Sequence, residues 1–287
     1  MAADKLQLQR LEFKYLVKEE VALAMRDFVS AYLVLDENCL DKPNNSYLNH
    51  SIYLDSPRLR CYWDVLNGVK NRYKLRLRFY DDEPTAPVFF EIKRRVDNAI
   101  LKQRGGVFRH AVPALLAGQL PEDRQLVTTS TKHRMALERF HELMVHNQAT
   151  PKTHVAYLRE AWVSERDNSV RVTFDRDVWS APHFDSTIST RLNGGVQPWG
   201  DLVILELKFT GRFPAWFMEM VRIFQVMQCG VAKYAEGVAL LDEQHQLAPP
   251  MAQVVHCAQT EVFKERRTGP RDHAQAISAQ ESIPEPA

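Results

Sequence analysis

The segment RYKLRLRFY, residues 72–80, alternates basic and apolar side chains and could present a row of cations to an anion. With the period of two of a β-strand, Lys74, Arg76 and Arg78 lie on one face and the apolar residues lie on the other. A single strand of this kind is typical of a sheet edge whose charges protect against aggregation. The pattern indicates a binding site only if other strands repeat it.

Charged faces do recur along the chain. The unit Glu-x-Lys occurs as EFK at 12–14, EIK at 91–93 and ELK at 206–208. Two further alternating segments carry Lys102 with Arg104, and Arg171 with Asp175, on single faces. One Glu-x-Lys unit alone would indicate a surface ion pair worth roughly 0–1 kcal/mol. Three of them beside several Arg-bearing strands favour a shared charged surface.

The elements that must position these residues are predicted from hydrophobic periodicity. Helical spacing predicts helices at 18–30, 57–67, 121–147 and 213–228, and VDNA at 96–99 predicts a hairpin turn. Mostly sequential strands favour an antiparallel sheet closed on itself, because closure removes the edges. The predicted fold class is α+β, an eight-stranded antiparallel closed β-barrel with helices packed on the outside. Its strands are predicted at about 10–17, 49–55, 72–80, 87–94, 99–105, 154–163, 169–177 and 201–209.

If the helices cover the apolar faces, the charged faces point into the barrel. An eight-stranded barrel has room inside for side chains or one small ligand, so a narrow tunnel lined by Lys and Arg is predicted. Burial of so many cations without counter-charge is too costly, so an anion must occupy the tunnel. Phosphate chains fit, because Arg binds phosphate oxygens in pairs and Lys adds a compact charge. Glu12, Glu91 and Glu206 are candidates to hold a divalent metal that bridges phosphates.

Composition excludes several other classes of protein. The 287 residues are 45% hydrophobic and 25% charged, as in ordinary globular proteins. Lys plus Arg (37) almost balances Asp plus Glu (36), unlike a general nucleic-acid binder. No apolar run is long enough for a membrane span or a signal peptide, so a cytoplasmic protein is expected. Neither a P-loop nor a C-x-x-C pair occurs, so a P-loop nucleotide site and a zinc knuckle are not indicated.

A succession of motifs resembles a known family. In order along the chain these motifs are RLEFKYLV, HSIYLDSP, YKLRLRFY, FFEIKRR, LKQRG, YLREAW, VRVTFD, VILELKF and KYAEG. They resemble the VTC domain of polyphosphate polymerases, a branch of the CYTH or triphosphate tunnel metalloenzyme superfamily. The resemblance covers roughly residues 8–242. It implies a tunnel domain over that range, followed by a C-terminal extension at 243–264. The segment 265–287 is polar and contains Pro, so its composition predicts a disordered tail.

The resemblance implies transfer of the terminal phosphate of ATP onto an inorganic polyphosphate chain. The expected cofactor is a divalent metal, Mn²⁺ with Mg²⁺ as the alternative, held by Glu206 and assisted by Glu12 and Glu91. ATP and polyphosphate are the expected partners. The residues expected to act on the phosphates in catalysis are Arg76, Arg78, Lys93, Arg159, Arg171 and Lys208. Those expected to bind substrate are Lys14, Lys74, Lys102 and Lys233, of which Lys233 closes the site after the last helix.

Two positions depart from the family pattern. Hydrolytic CYTH relatives resemble E-x-E-x-K in the first strand, and Arg10 occupies the position of the first Glu of that motif. This departure favours the polymerase branch over a triphosphatase. Ala232 stands where many relatives carry Ser before the Lys-Tyr pair, which puts turnover in doubt more than binding. The alternatives are therefore a triphosphatase that cleaves tripolyphosphate or a nucleoside triphosphate, and a non-catalytic polyphosphate-binding module. A nucleic-acid barrel is disfavoured, because the aromatic residues alternate to the face opposite the cations.

Overall fold

The computed structural model describes residues 10–97, 99–166, 169–244 and 246–247. These residues form an α+β fold built on one large antiparallel sheet. The strands are β1 (Arg10–Val17), β2 (Val34–Leu35), β3 (Tyr47–Asp55), β4 (Arg72–Phe79), β5 (Pro87–Val96), β6 (Ala99–Phe108), β7 (Thr150–Val163), β8 (Val170–Pro182) and β9 (Val203–Thr210). The helices are α1 (Glu19–Ser30), α2 (Arg60–Leu66), α3 (Val112–Leu116), α4 (Thr131–His146), α5 (Ala215–Ile223) and α6 (Lys233–Glu243).

The strand order in the sheet is β1-β9-β8-β7-β3-β4-β5-β6, and the short β2 pairs with β7. The predicted hairpin at 96–99 is confirmed, because β5 and β6 pair in register with Val96 opposite Ala99. The predicted strands correspond to the longer strands of the sheet, while β2 was not predicted. Strand β2 has only two residues, which is too short to show a hydrophobic periodicity in the sequence.

The predicted closure of the barrel is not shown, because the sheet is not closed by hydrogen bonds. Strands β1 and β6 stand at the two ends of the strand order and approach each other, but no ladder joins them. Each edge strand instead forms a single bridge to a residue outside the strands. Tyr15 of β1 bridges Gln228, and Val107 of β6 bridges Leu126. These bridges take up backbone groups at the two edges, and no backbone hydrogen bonds join β1 to β6.

The apolar faces of the strands pack against helices on the outside, in two clusters. One cluster joins β3 to β6 with α3 and α4, where the rings of Phe90 and Phe140 lie 5.0 Å apart. The other joins β1, β8 and β9 with α1 and α5, where the rings of Phe209 and Phe217 lie 6.2 Å apart. Burial of these faces leaves the charged faces of the same strands on the concave side of the sheet.

Two helix predictions require correction. The helix predicted at 121–147 begins only at Thr131, because Asp123–Gln125 form a separate 3₁₀ turn and Val127 then donates its backbone N–H to the carbonyl of Gly106 on β6. Helix α6 was not predicted, although Tyr234, Val238 and Leu241 are buried along one of its faces. Lys233 therefore starts a helix, whereas the prediction placed it after the last one.

No helix in the described part of the chain is long and apolar enough to cross a membrane. Of the predicted C-terminal extension at 243–264, only residues 243, 244, 246 and 247 are described, and the first of them ends α6. The predicted disordered tail at 265–287 lies outside the described residues.

Candidate functional site

The concave side of the sheet carries the predicted charged residues, and we call this set the inner face. Its cations come from seven strands and the first turn of α6. They are Lys14, Lys74, Arg76, Arg78, Lys93, Lys102, Arg104, Arg159, Arg171, Lys208 and Lys233, and the carboxylates among them are Glu12, Glu91, Asp175 and Glu206. With Asp36, which pairs with Arg171, five carboxylates face eleven cations. Six positive charges therefore have no counterpart in this set.

Glu206 on β9 is the centre of the densest ion-pair group. Its carboxylate lies 3.4 Å from Lys14 Nζ, 3.3 Å from Arg159 Nη2 and 3.0 Å from Lys233 Nζ, and it also pairs with Lys208. Thr173 donates a hydrogen bond to the same carboxylate. Burial alone would raise the pKa of Glu206, but these ammonium and guanidinium groups hold it well below its usual value. Glu206 is therefore ionised at neutral pH.

Asp175 on β8 pairs with two of the cations that contact Glu206, namely Arg159 and Lys233. Arg159, directly opposite it on β7, donates hydrogen bonds of 2.6 Å and 2.7 Å to its two oxygens. Lys233 Nζ lies 2.6 Å from the same carboxylate. Asp175 is fully buried, and burial raises its pKa, but Arg159 and Lys233 lower it below its usual value. This bidentate pair fixes the plane of the Arg159 guanidinium.

A second group surrounds Glu91 on β5. Arg76 on β4 lies directly opposite Glu91 and approaches its Oε2 to 2.6 Å. From β6, Lys102 Nζ lies 2.7 Å from Oε1 and Arg104 Nε lies 3.5 Å from it. Burial would raise the pKa of Glu91, but Arg76, Arg78 and Lys102 lower it. The sheet thus brings three cations together around one carboxylate.

Glu12 on β1 contacts a cation on β5, the strand next to the other end of the strand order. Its Oε1 lies 3.2 Å from Lys14 Nζ on β1, and its Oε2 lies 3.4 Å from Lys93 Nζ on β5. Because β1 and β5 are not neighbours in the sheet, this contact crosses the concave side. Burial would raise the pKa of Glu12, but Lys93 and Lys14 lower it. A side-chain ion pair therefore links β1 to β5 even though no backbone ladder joins β1 to β6.

Two cations of the inner face have no carboxylate partner among the described residues. Lys74 forms no ion pair there, and burial lowers its pKa to about 8. Arg78 is buried and donates a hydrogen bond to the amide oxygen of Asn49, while its Nε has no partner in the described part of the chain. A buried guanidinium without a counter-charge is costly unless an anion binds it. These two residues mark where an anionic ligand would fit.

Several residues of the site were not predicted. Tyr157 places its ring 4.9 Å from Lys233 Nζ, 5.1 Å from the Arg159 guanidinium and 5.9 Å from that of Arg78. It stands two residues before Arg159, so the same alternation could have identified it. Asp36 lies in the loop after β2, where its Oδ2 is 3.0 Å from Arg171 Nη2, and no periodicity marks it.

The three glutamates predicted to hold a metal do not form one cluster. Lys14 Nζ contacts both Glu12 and Glu206, whereas Glu91 belongs to the group around Arg76. No set of three or more His, Cys, Asp or Glu side chains in the described ranges is arranged to hold a metal ion. Glu12 and Glu206 instead fit the mode of binding in which one or two carboxylates share a divalent cation with substrate phosphates.

An antiparallel sheet that curls around a strongly cationic concave side defines a protein built to bind a polyanion. The model of the VTC domain family matches residues 9–242. The chain belongs to this family, as the ordered motifs indicated. Membership supports a function related to polyphosphate.

Solved structures and curated proteins were also compared with the chain. The PH1819 protein of Pyrococcus horikoshii OT3 is 14% identical, with 82% of this chain and 99% of that chain covered and a TM-score of 0.42. A protein described as a putative adenylate cyclase from Vibrio parahaemolyticus is 10% identical, with coverage of 81% and 98% and a TM-score of 0.40. A chain of the Schizosaccharomyces pombe Mediator head module is 11% identical, with coverage of 76% and 92% and a TM-score of 0.34. The comparison with curated proteins gave no match.

Proposed function

We propose that this protein transfers the terminal phosphate of ATP onto an inorganic polyphosphate chain. The observation that carries the proposal is the excess of positive charge on the inner face of a chain that belongs to the VTC domain family. A linear anion with one charge per phosphate suits a surface whose cations are spread over many strands. Phosphoryl transfer mainly requires positioning and charge stabilisation, so a protein nucleophile is not needed.

The cations have separable roles in this proposal. Arg159 is held rigidly by Asp175, so its remaining N–H groups orient phosphate oxygens. Arg76 is likewise oriented by Glu91. Lys74 and Arg78 supply the charge that the described residues do not neutralise. Together these groups hold the triphosphate and the acceptor chain so that a terminal chain oxygen attacks the γ-phosphorus in line and ADP leaves.

Glu206 and Glu12 are the residues that would hold a divalent metal, Mn²⁺ or Mg²⁺, together with the substrate phosphates. When bound, the metal adds positive charge to the transferred phosphoryl group. The ammonium of Lys14 contacts both carboxylates, so it keeps them ionised and available as ligands. Thr173 fixes the orientation of Glu206 through its hydroxyl group.

The test is to incubate the purified protein with ATP and Mn²⁺, resolve the products by length on a gel and measure free phosphate in parallel. A ladder of lengthening phosphate chains is expected. Free phosphate without a ladder would contradict the polymerase and support a triphosphatase. Omission of the metal and replacement by Mg²⁺ test the cofactor in the same assay.

The variant for this test is Glu206→Gln rather than Glu206→Ala. Four cations contact Glu206, so truncation would leave them facing an empty space and would destabilise the fold. Glutamine keeps the volume and one oxygen but removes the charge. Arg94→Gln is the matched control, because Arg94 is exposed on β5 and lies on the opposite face from Lys93. Loss of the ladder in Glu206→Gln but not in Arg94→Gln is expected.

A non-catalytic polyphosphate-binding module is the second candidate, and Ala232 is the observation that favours it. Ala232 precedes α6 and offers no side-chain hydrogen bond, whereas the family pattern that the motifs resemble has Ser at this position. If polyphosphate binds and raises the melting temperature while neither chains nor free phosphate are formed, the inner face acts as a receptor.

A further inference from the structure

A second basic site lies where β4 begins and β5 ends. A cavity of about 330 Å³ is lined there by Gly68, Lys70, Arg72, Arg95 and Asp97. Arg72 and Arg95 are directly opposite each other on the paired strands. We call Lys70, Arg72 and Arg95 the rim site. None of these three residues was predicted to bind substrate from the sequence.

The three positive charges of the rim site face one carboxylate in the lining of the cavity, that of Asp97. Arg72 donates a hydrogen bond to the backbone oxygen of Val69, and Arg95 Nε donates one of 2.9 Å to that of Asp97. No salt bridge between described residues reaches either guanidinium. Burial and the neighbouring Arg95 lower the pKa of Arg72, and Asp64 offsets this only in part. Like charges directly opposite each other destabilise a strand pair unless an anion bridges them.

The rim site continues the inner face. Two residues further along the same strands, Lys74 lies opposite Lys93, and Lys93 lies opposite Lys102 on β6. Alternate residues of a strand share a face and lie about 7 Å apart, so the two rows of cations are adjacent. Glu12 contacts Lys93 and Glu91 contacts Lys102 in the inner row, whereas no carboxylate pairs with the arginines of the outer row in the described part of the chain. Uncompensated positive charge therefore increases towards the rim.

We propose that the rim site binds the part of a polyphosphate chain that extends beyond the inner face, and so makes the protein prefer long chains to short ones. This inference rests on the proposed function to the extent that the inner face must hold phosphates. An anion as short as tripolyphosphate is held by the cations of the inner face alone and does not need the arginine row. A chain of phosphates contacts the lysine row and the arginine row together, which matches the repetition of like charges along β4 and β5.

The test compares binding of tripolyphosphate and of size-fractionated long-chain polyphosphate, by titration calorimetry without ATP or metal. The variant is Arg72→Gln/Arg95→Gln. The control is again Arg94→Gln, one residue from Arg95 on the opposite face of β5. We expect the double variant to bind long chains about tenfold more weakly, with a shallower dependence on salt because fewer counterions are released. Its affinity for tripolyphosphate should change less than twofold.

Three outcomes would overturn the rim site: unchanged affinity of the double variant for long chains, an equal loss for tripolyphosphate, or an equal loss in Arg94→Gln. Thermal unfolding of each variant checks the fold, and single variants Arg72→Lys and Arg95→Lys, which keep the charge, should bind long chains nearly as wild type does. If long chains bind but no polymer is made from ATP, the proposed polymerase activity is wrong. The binding comparison still decides whether the rim site holds long chains. If wild type binds neither anion, both proposals fail.

Discussion

Lys233, the first residue of α6, places its Nζ 3.0 Å from Oε1 of Glu206 on β9. The same ammonium lies 2.6 Å from Asp175 on β8, so one cation links the helix to two strands. Burial would lower the pKa of Lys233, but Asp175 and Glu206 raise it. The position of α6 and the charge balance of the inner face therefore depend on the same side chain.

Replacement of Lys233 by Met should destabilise the fold. Methionine fills most of the volume but leaves Asp175 and Glu206 with one buried cation fewer, and breaking a buried ion pair from one side costs about 3–5 kcal/mol. Urea unfolding at pH 7 measures the loss. Lys132→Met on the exposed start of α4 is the control and should change the free energy of unfolding by less than about 0.5 kcal/mol. Equal values for the two variants would contradict the role given to Lys233.

The stability of the protein should decrease steeply in acid. The pKa of Glu206 in the fold lies well below its usual value of 4.5, and the pKa values of Asp175, Glu12 and Glu91 are lowered too. As pH falls below about 4.5, the unfolded chain therefore takes up protons that the folded chain does not, and stability is lost. Denaturant unfolding between pH 7 and pH 3 measures this decrease.

Glu206→Gln is the control variant for the loss of stability in acid. The variant should be less stable than wild type at neutral pH, and the difference should shrink as the pH falls below about 4.5, because Glu206 no longer contributes to the linkage. A difference that stays constant over this range would show that Glu206 is not held ionised by its neighbours.

Binding of a phosphate anion should weaken as the pH rises through about 8. Burial lowers the pKa of Lys74 to about 8, so this lysine loses its charge near that pH. Tyr53 beside it has a pKa of about 7, since Arg76 and Lys74 outweigh the opposing effect of burial, and its ionisation adds a negative charge. Titration of tripolyphosphate from pH 6.5 to pH 9.5 measures the effect. Lys74→Arg and Tyr53→Phe should each make the loss of affinity with rising pH smaller than in wild type. If both variants show the wild-type pH profile, the assignment is refuted.

The sequence predicted the strands and the charged faces because their signal is local. Alternation with period two places Arg76 with Arg78 whatever surrounds the strand. The edges of the sheet could not be predicted in the same way. Whether β1 pairs with β6 or with Gln228 depends on where a loop more than two hundred residues away along the chain lies.

The cations of the site were predicted more completely than their partners. Arg159 and Lys233 follow from motifs, and alternation placed Asp175 on a charged face with Arg171. The position of the Asp175 carboxylate between Arg159 and Lys233 follows only from the pairing of β7 with β8 and from the start of α6. Asp36 comes from a loop without periodicity. The tunnel was therefore expected to be more uniformly cationic than it is, and the excess charge is confined to fewer positions, among them Lys74 and Arg78.

Gly237 in α6 should not accept a side chain. A Cβ at this position would collide with the hydroxyl of Ser180 on β8 and lie 2.7 Å from its Cβ. Gly237→Ala should therefore lower the melting temperature although Ala favours helices by about 1 kcal/mol. Adding Ser180→Gly removes both colliding atoms and should restore part of the loss. Simple additivity of the two changes in a double-mutant cycle would contradict this contact.

Ala232→Ser should stabilise the start of α6. The N-cap residue Ala232 provides no side-chain acceptor, and a serine there could accept a hydrogen bond from a backbone N–H of the first turn, worth about 1 kcal/mol. Thermal and urea unfolding of Ala232→Ser and of wild type measure this gain. The same variant separates two functions of a hydroxyl at this position. A gain in stability with unchanged turnover identifies a helix cap, because capping acts on the fold alone. If phosphate transfer increases while stability does not, the hydroxyl contacts the phosphates, and the present residue limits catalysis rather than folding.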